Sequence, residues 1–276
     1  MTMPFIIAHL SDLHIKVGGK LSYKKVDTQG ALRAAINTLN RLTPRPNVLV
    51  ITGDLVDFGH DDEYQTLRQA LAALTMPYFV IPGNHDDRQA LRRAFGDHDY
   101  LTRQSGFIQW AVNEYPVRLI GLDSTVPGAS HGELCQQRLT WLDEQLALEP
   151  EKPTLVMLHH PPFISGIEHM DLQRLAKAQG LAAVIQRHPQ VERVLCGHVH
   201  RTIQSRFAGT LACSAPGASH QVAFELSPGA PAHFVLEPAG FLIHRCAPGQ
   251  GMTTHHCFVG DFDGPYPFYD ANGLID

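Results

Sequence analysis

Strand-sized apolar runs that each end in a polar cluster set the strongest limit on what this chain can fold into. FIIAHL (residues 5–10) runs into Asp12-Leu13-His14, and VLVIT (48–52) into Gly53-Asp54. The strand predicted at 78–81 leads to Gly83-Asn84-His85-Asp86. The runs at 154–158 and 193–196 open onto His159-His160-Pro161-Pro162 and Gly197-His198-Val199-His200. A further strand is expected at 117–122. Between these runs, residues 28–42, 63–74, 88–95, 135–148 and 172–186 carry apolar positions at helical spacing. Strand–helix alternation of this kind implies a layered α/β domain with mainly parallel pairing. In such sheets ligands bind beyond the carboxyl ends of the strands. Five clusters of carboxylate, amide and imidazole therefore converge on one edge.

The character changes near residue 200. No helix period persists over 202–258. Short β-like runs take its place at 203–207, 211–214, 222–226, 233–236, 241–245 and 255–259, punctuated by Gly and Pro. They form either a second sheet of the same domain or a small β-rich appendage. The tail, 260–276, is aromatic and acidic and reads as an irregular arm.

Composition narrows the function classes. The 276 residues are 44% hydrophobic and 18% charged, enough for a sizeable core. Lys and Arg total 22 against 27 acids, a net charge of −5, so no basic face for nucleic acid is expected. The apolar runs fall far short of the roughly 20 residues of a membrane helix. The first residues lack a basic region and meet Asp12 and His14 too soon for a signal peptide. Five Cys without a CxxC spacing point to reduced thiols and a cytoplasmic protein. Histidine, at 17, is the excess.

Unpaired, the converging groups would be costly to bury, and bound metal resolves that cost. Asp and Asn oxygens with His nitrogens suit Mn, Fe, Co or Zn better than Ca. No Cys stands among them, so a thiolate zinc site is excluded. Seven ligands exceed one tetrahedral ion. Two ions about 3.5–4 Å apart, sharing a carboxylate, use them naturally.

DxH, GD, GNHD, HH and GHxH, in this order, resemble the calcineurin-like binuclear metallophosphoesterases over residues 5–200. The resemblance implies a four-layer αββα sandwich, with residues 1–200 as catalytic core. Residues 201–276 would add second-sheet strands, a β-rich dimerisation or capping region and the aromatic tail. It implies that Asp12, His14 and His200 hold one divalent ion and Asn84, His159 and His198 the other, with Asp54 bridging. Asn84 and His85 would meet the substrate, and His85 would contact a phosphoryl oxygen or aid the leaving group. Asp54 and His85 are the catalytic candidates.

Two departures narrow the branch. Phe58 stands where the protein phosphatases carry Arg in GDxVDRG, and Asp57 stands where purple acid phosphatases carry a metal-binding Tyr. GNHDD and MLHHPP are similar to the small bacterial phosphodiesterases that act on cyclic nucleotides or glycerophosphodiesters. APGASHQV (215–222), LEPAGFLIHR (236–245) and the tail resemble the glycerophosphodiesterase branch. That resemblance places His220, Tyr23 and Ser130 on the substrate side and implies a homodimer or higher homo-oligomer. The expected activity is hydrolysis of small phosphodiesters with two divalent ions (Mn, Fe, Zn or Co). No membrane or long nucleic acid is expected as a partner. The alternatives are a phosphomonoesterase or nuclease on the same ions, or a non-catalytic scaffold.

Other conspicuous residues have plainer readings. His160 should face away from His159 in a buried supporting role. Asp86 and Asp87 should cap the helix at 88–95. Cys196 should pack in the core. Asp123-Ser124 serves either a ligand or a turn, His131 sits in a loop, and His255 and His256 belong to a sheet or interface.

Overall fold

The computed structural model describes residues 3–102 and 106–275. The first two residues of the N-terminal segment, and Asp276 of the tail, lie outside the described residues. The strands, in chain order, begin with β1 (Phe5–Leu10), β2 (Val48–Ile51), β3 (Tyr78–Val80), β4 (Trp110–Val112) and β5 (Arg118–Gly121). They continue as β6 (Gly132–Glu133), β7 (Thr154–Met157), β8 (Leu175–Ala176), β9 (Val191–Cys196), β10 (Ile203–Phe207) and β11 (Thr210–Ser214). The last are β12 (Gln221–Val222), β13 (Phe234–Val235), β14 (Gly240–Ala247), β15 (Gly251–Phe258), β16 (Tyr269–Asp270) and β17 (Gly273–Leu274). The helices are α1 (Thr28–Arg41), α2 (Asp61–Leu71), α3 (Arg88–Ala94), α4 (Asp99–Thr102), α5 (Gln136–Leu148), α6 (Glu168–Asp171) and α7 (Gln179–Ile185).

Two sheets carry the molecule. One runs β15-β14-β1-β2-β3, the other β10-β11-β9-β7-β5-β4. β1, β2 and β3 are mutually parallel, as are β5, β7, β9 and β11. Alternation along the second sheet shows how the layers stack. Leu119, Leu155, Met157, Leu195 and Cys213 pack into a core shared with the first sheet and with α1 and α2. Their neighbours Ile120, Val156, Val194 and Ala212 instead meet α5 and α7. The order is helix, sheet, sheet, helix: the expected αββα sandwich. The strand runs are apolar at nearly every position because both faces are covered.

The chain beyond residue 200 is not a separate appendage. β10 and β11 extend the second sheet, while β14 and β15 complete the first as an antiparallel pair. The predicted helix over 172–186 is shorter than expected. Leu175 is drawn into β8, where its N–H donates to Pro161 O at 3.0 Å, and Lys177 adopts φ 51°, so helix begins only at Gln179. The run at 222–226 also gives little strand: Phe224 and Leu226 are exposed and pairing stops at Val222. β4 and β6 are absent from the sequence reading because they are two or three residues long.

Asp87 caps α3, its side chain accepting from the N–H groups of Gln89 and Ala90. Asp86 does not cap that helix. Its carboxylate accepts from Gly83 N at 2.8 Å, Leu55 N at 3.1 Å and Tyr64 Oη at 2.8 Å, tying two site loops together. Cys196 is buried in the core, and all five cysteines are free.

Candidate metal centre and substrate cavity

The carboxyl ends of β1, β2, β3, β7 and β9 meet where the two sheets converge, and the backbone there is strained. Asp12, His14, Asp54, His198 and His200 adopt φ of 57°, 45°, 47°, 71° and 50°. A left-handed non-glycine residue costs on the order of 1–3 kcal/mol and persists only where surroundings over-determine it. Five of the nine such residues among the described ones lie here. Close approach accounts for two glycines. A Cβ on Gly83 would collide with the Asp54 carboxylate, and one on Gly197 with the Ser11 hydroxyl.

His159, His200 and His85 are oriented through hydrogen bonds from Nδ1. His159 Nδ1 donates to Thr52 O at 2.7 Å and His200 Nδ1 to His220 O at 3.1 Å. His14 Nδ1 lies 3.4 Å from Asp57 Oδ1, and His85 Nδ1 donates to the Asp57 carbonyl at 2.8 Å. Their Nε2 atoms are left for the site. His14 Nε2 and His200 Nε2 stand 3.2 Å apart, with Asp12 Oδ1 3.5 Å from His200 Nε2. His159 Nε2 lies 3.1 Å from Asn84 Oδ1. Asp54 Oδ2 stands between both groups, 3.7 Å from His14 Nε2 and 3.3 Å from His159 Nε2. Asp54 Oδ1 accepts from His85 N, and Asp12 accepts from His198 N.

The donor set fits divalent cations. Asp12, His14 and His200 offer atoms within 4.8 Å of one another, and so do Asp12, Asp54 and His159. His198 Nε2 is buried with no hydrogen-bond partner among the described residues. Burial, reinforced by neighbouring imidazoles, lowers His198 and His200 to about 3, so both rings are neutral with lone pairs to give. His159 behaves oppositely. Burial would depress it, but the Asp54 carboxylate outweighs that and pushes it up to about 9. The carboxylates thus draw positive charge into a buried site, which is the electrostatic requirement for a cation centre.

His160 stands beside His159 and His198, with a ring nitrogen within 4.8 Å of theirs. Ser124 Oγ lies 2.8 Å from its Nδ1 and Ser130 O 3.2 Å from its Nε2, so both nitrogens are engaged. Its ring packs 4.9 Å from those of His159 and His198, in the supporting role expected. Asp123 is bound by Arg88 at 2.6 Å, which fixes the Ser124 loop.

A cavity of about 260 Å³ opens over these groups. It brings together His14, Asp54, Asn84, His85, His198 and His200, with Tyr23 and His220 on its wall. Tyr23 packs 5.4 Å from His220 and 5.1 Å from Phe234. Ser130 is not brought there. It sits on the far side of His160 and offers that ring its carbonyl. His131 likewise lies in a loop away from the cavity, and His255 and His256 lie on β15. The sequence reading missed His169, Gln173, His233 and Phe234, which also line the cavity. They lie on or beside the short elements α6 and β13, with no motif to mark them.

The family described as Calcineurin-like phosphoesterase matches residues 5–202. A probable glycerophosphodiester phosphodiesterase GpdQ of Arcobacter nitrofigilis is 41% identical over 98% of this chain and 100% of its own length. A probable cyclic nucleotide phosphodiesterase of Rhodopseudomonas palustris is 33% identical over 89% of this chain and 92% of its own. The 3',5'-cyclic adenosine monophosphate phosphodiesterase CpdA of Escherichia coli is 30% identical over 76% and 74% respectively. A dimetal phosphatase from Danio rerio superposes with a TM-score of 0.62 at 16% identity, covering 93% of this chain and 99% of that one, a likeness of fold.

Proposed function

We propose that this chain, which belongs to the calcineurin-like phosphoesterase family, hydrolyses small phosphodiesters at a two-ion centre held by Asp12, His14, Asp54, Asn84, His159, His198 and His200. The observation that carries this is Asp54 Oδ2, set between the Nε2 atoms of His14 and His159. One carboxylate oxygen between two imidazole groups is what a bridging ligand requires. Two divalent ions, drawn from Mn, Fe, Zn or Co, would supply Lewis-acid neutralisation of the phosphoryl oxygens and a water of lowered pKa.

The chain's own residues then do the following. Asp12 and Asp54 leave the two-ion site with net positive charge, which attracts a phosphodiester monoanion. No Lys or Arg is among the cavity-lining residues that the structure describes, so among these the substrate's charge is met inside the centre rather than by a guanidinium. His85 spends Nδ1–H on the Asp57 carbonyl, so Nε2 is its working nitrogen. Carrying a proton on Nε2, it would donate that Nε2 proton to the departing alkoxide; with Nε2 bare, the same nitrogen only accepts. Tyr23, His220 and Phe234 form a wall against which the leaving group packs.

The relatives' names support glycerophosphodiesters and 3',5'-cyclic nucleotides as the substrate class. A cavity of about 260 Å³ has room for a small diester and supports that class over a polynucleotide. Residues 1–200 serve as the catalytic core, and 201–276 as sheet completion, capping and assembly region. Exposed rings at Phe258, Phe262, Tyr266, Phe268 and Tyr269 support a homo-oligomer. No helix among the described residues is long and apolar enough to cross a membrane, and the five free cysteines support a cytoplasmic setting. The test is hydrolysis of cyclic AMP, glycerophosphocholine and bis(p-nitrophenyl) phosphate against p-nitrophenyl phosphate after metal reconstitution. Diesters should be cleaved well ahead of the monoester. Faster cleavage of the monoester would overturn the reading.

A further inference from the structure

His9 and His244 are wholly buried histidines that the chemistry above does not use. They lie in the adjacent strands β1 and β14, with ring centroids 5.5 Å apart. His244 Nε2 is 3.4 Å from His9 Nδ1, and His244 Nδ1 is 2.9 Å from Thr254 Oγ1 on β15. At the other end His9 Nε2 is 2.9 Å from Thr52 Oγ1. A hydrogen-bonded chain therefore crosses the first sheet, from half-exposed Thr254 to the last residue before Gly53-Asp54. Burial, then the charge of Arg193, holds His244 at about 3, and burial, with His244 beside it, keeps His9 well below its ordinary range. Both rings are neutral, so each has one donor and one acceptor and the chain is fully used. Two apolar side chains of similar volume would fill this space without the desolvation cost of two imidazoles. What the polar chain adds is direction.

That direction ends at a strained turn. Gly53 and Asp54 have φ of 93° and 47°, so β2 leaves its extended path immediately after Thr52. The Thr52 carbonyl accepts from His159 Nδ1 at 2.7 Å, which sets the ring's tautomer and leaves Nε2 bare. Ser11 Oγ donates to the same carbonyl at 3.3 Å. Resting on the two-ion reading, we infer that His9 and His244 are positioning residues that anchor Thr52, and through its carbonyl hold His159 in ligating geometry. Partners one step behind a metal ligand set its orientation and basicity, and losing one costs about 10–100-fold in metal affinity.

Thr52→Val tests this. It keeps the carbonyl and the volume and deletes only the hydroxyl. The probe is Co(II), titrated into metal-free protein and followed by visible absorption and calorimetry, with thermal stability of the metal-free form recorded alongside. The ion on the His159 side should bind about 10-fold or more weakly in Thr52→Val, the other ion should be unchanged, and Thr52→Ser should restore wild-type binding. A side chain that only supports the fold would lower thermal stability and leave the affinity ratio of the two ions alone. Wild-type affinity for both ions in Thr52→Val, or a Thr52→Ser variant as weak as Thr52→Val, would overturn the assignment. If Thr52→Val does not fold, His244→Phe carries the same comparison from two bonds further out. It too should weaken only the His159-side ion, and equal binding of both ions would again overturn the assignment. Saturation of the wild type at one Co(II) would sink the two-ion reading instead, while the valine–serine comparison at that one ion still decides the positioning role.

Discussion

Asp57 does more for the site than its position suggests. Its carboxylate pairs with Lys16 at 2.8 Å and meets His14 Nδ1, while its main-chain oxygen fixes His85. Burial works against its charge, but His14 and Lys16 hold it down to about 2. The sequence reading registered Asp57 only as a departure from the purple acid phosphatases, because a residue acting through a carbonyl leaves no motif. The seven candidate ligands and His85 were legible for the opposite reason: each follows a strand, and strand ends share one edge. Loop residues were less so; Tyr23 and His220 reached the cavity and Ser130 did not. Two predictions belong at this scale. His85→Ala should keep both ions and lose about 10²–10⁴-fold in turnover on alkoxide leaving groups, and far less on nitrophenolate. Equal losses in steady-state assays would leave His85 with phosphate positioning alone. The second concerns His159. Its folded pKa, about 9, lies above its ordinary value of 6.5. Its contribution to stability is therefore full below pH 6.5 and lost as pH rises through 9. The metal-free protein should melt at progressively lower temperature across that window. Metal uptake at pH 7.5 should release a proton, read by calorimetry in buffers of different ionisation enthalpy.

Elements were read well where period and length agreed. β1, β2, β7 and α1 stand close to their expected bounds because each is a fully buried strand run or a long one-sided stripe. The stretch at 172–186 misled because its apolar spacing suits a helix, while Leu175 is claimed by the Pro161 carbonyl and Lys177 turns left-handed. The same reasoning locates the assembly element. A cut after Arg245 would divide β14 and remove β15 from the first sheet. A cut after Val259 leaves both large sheets whole and removes Phe262, Tyr266, Phe268 and Tyr269, which are 66–79% exposed. That truncate should stay folded and fall to a smaller assembly by light scattering. An unchanged assembly state would free the tail of this role.

The whole molecule is a pair of sheets whose parallel strands deliver the candidate ligands to one convergent edge. Chain beyond residue 200 closes both sheets and walls the cavity. The account rests on Asp54 serving two ions at once, and a Mn(II) titration of metal-free protein with electron paramagnetic resonance and diesterase activity read together tests it most directly. Wild type should saturate at two ions per chain with a spin-coupled signal, and activity should rise with the second ion. Asp54→Ala should lose both ions, and His14→Ala mainly one. Saturation at one ion with full activity, or an uncoupled pair that survives Asp54→Ala, would contradict the account.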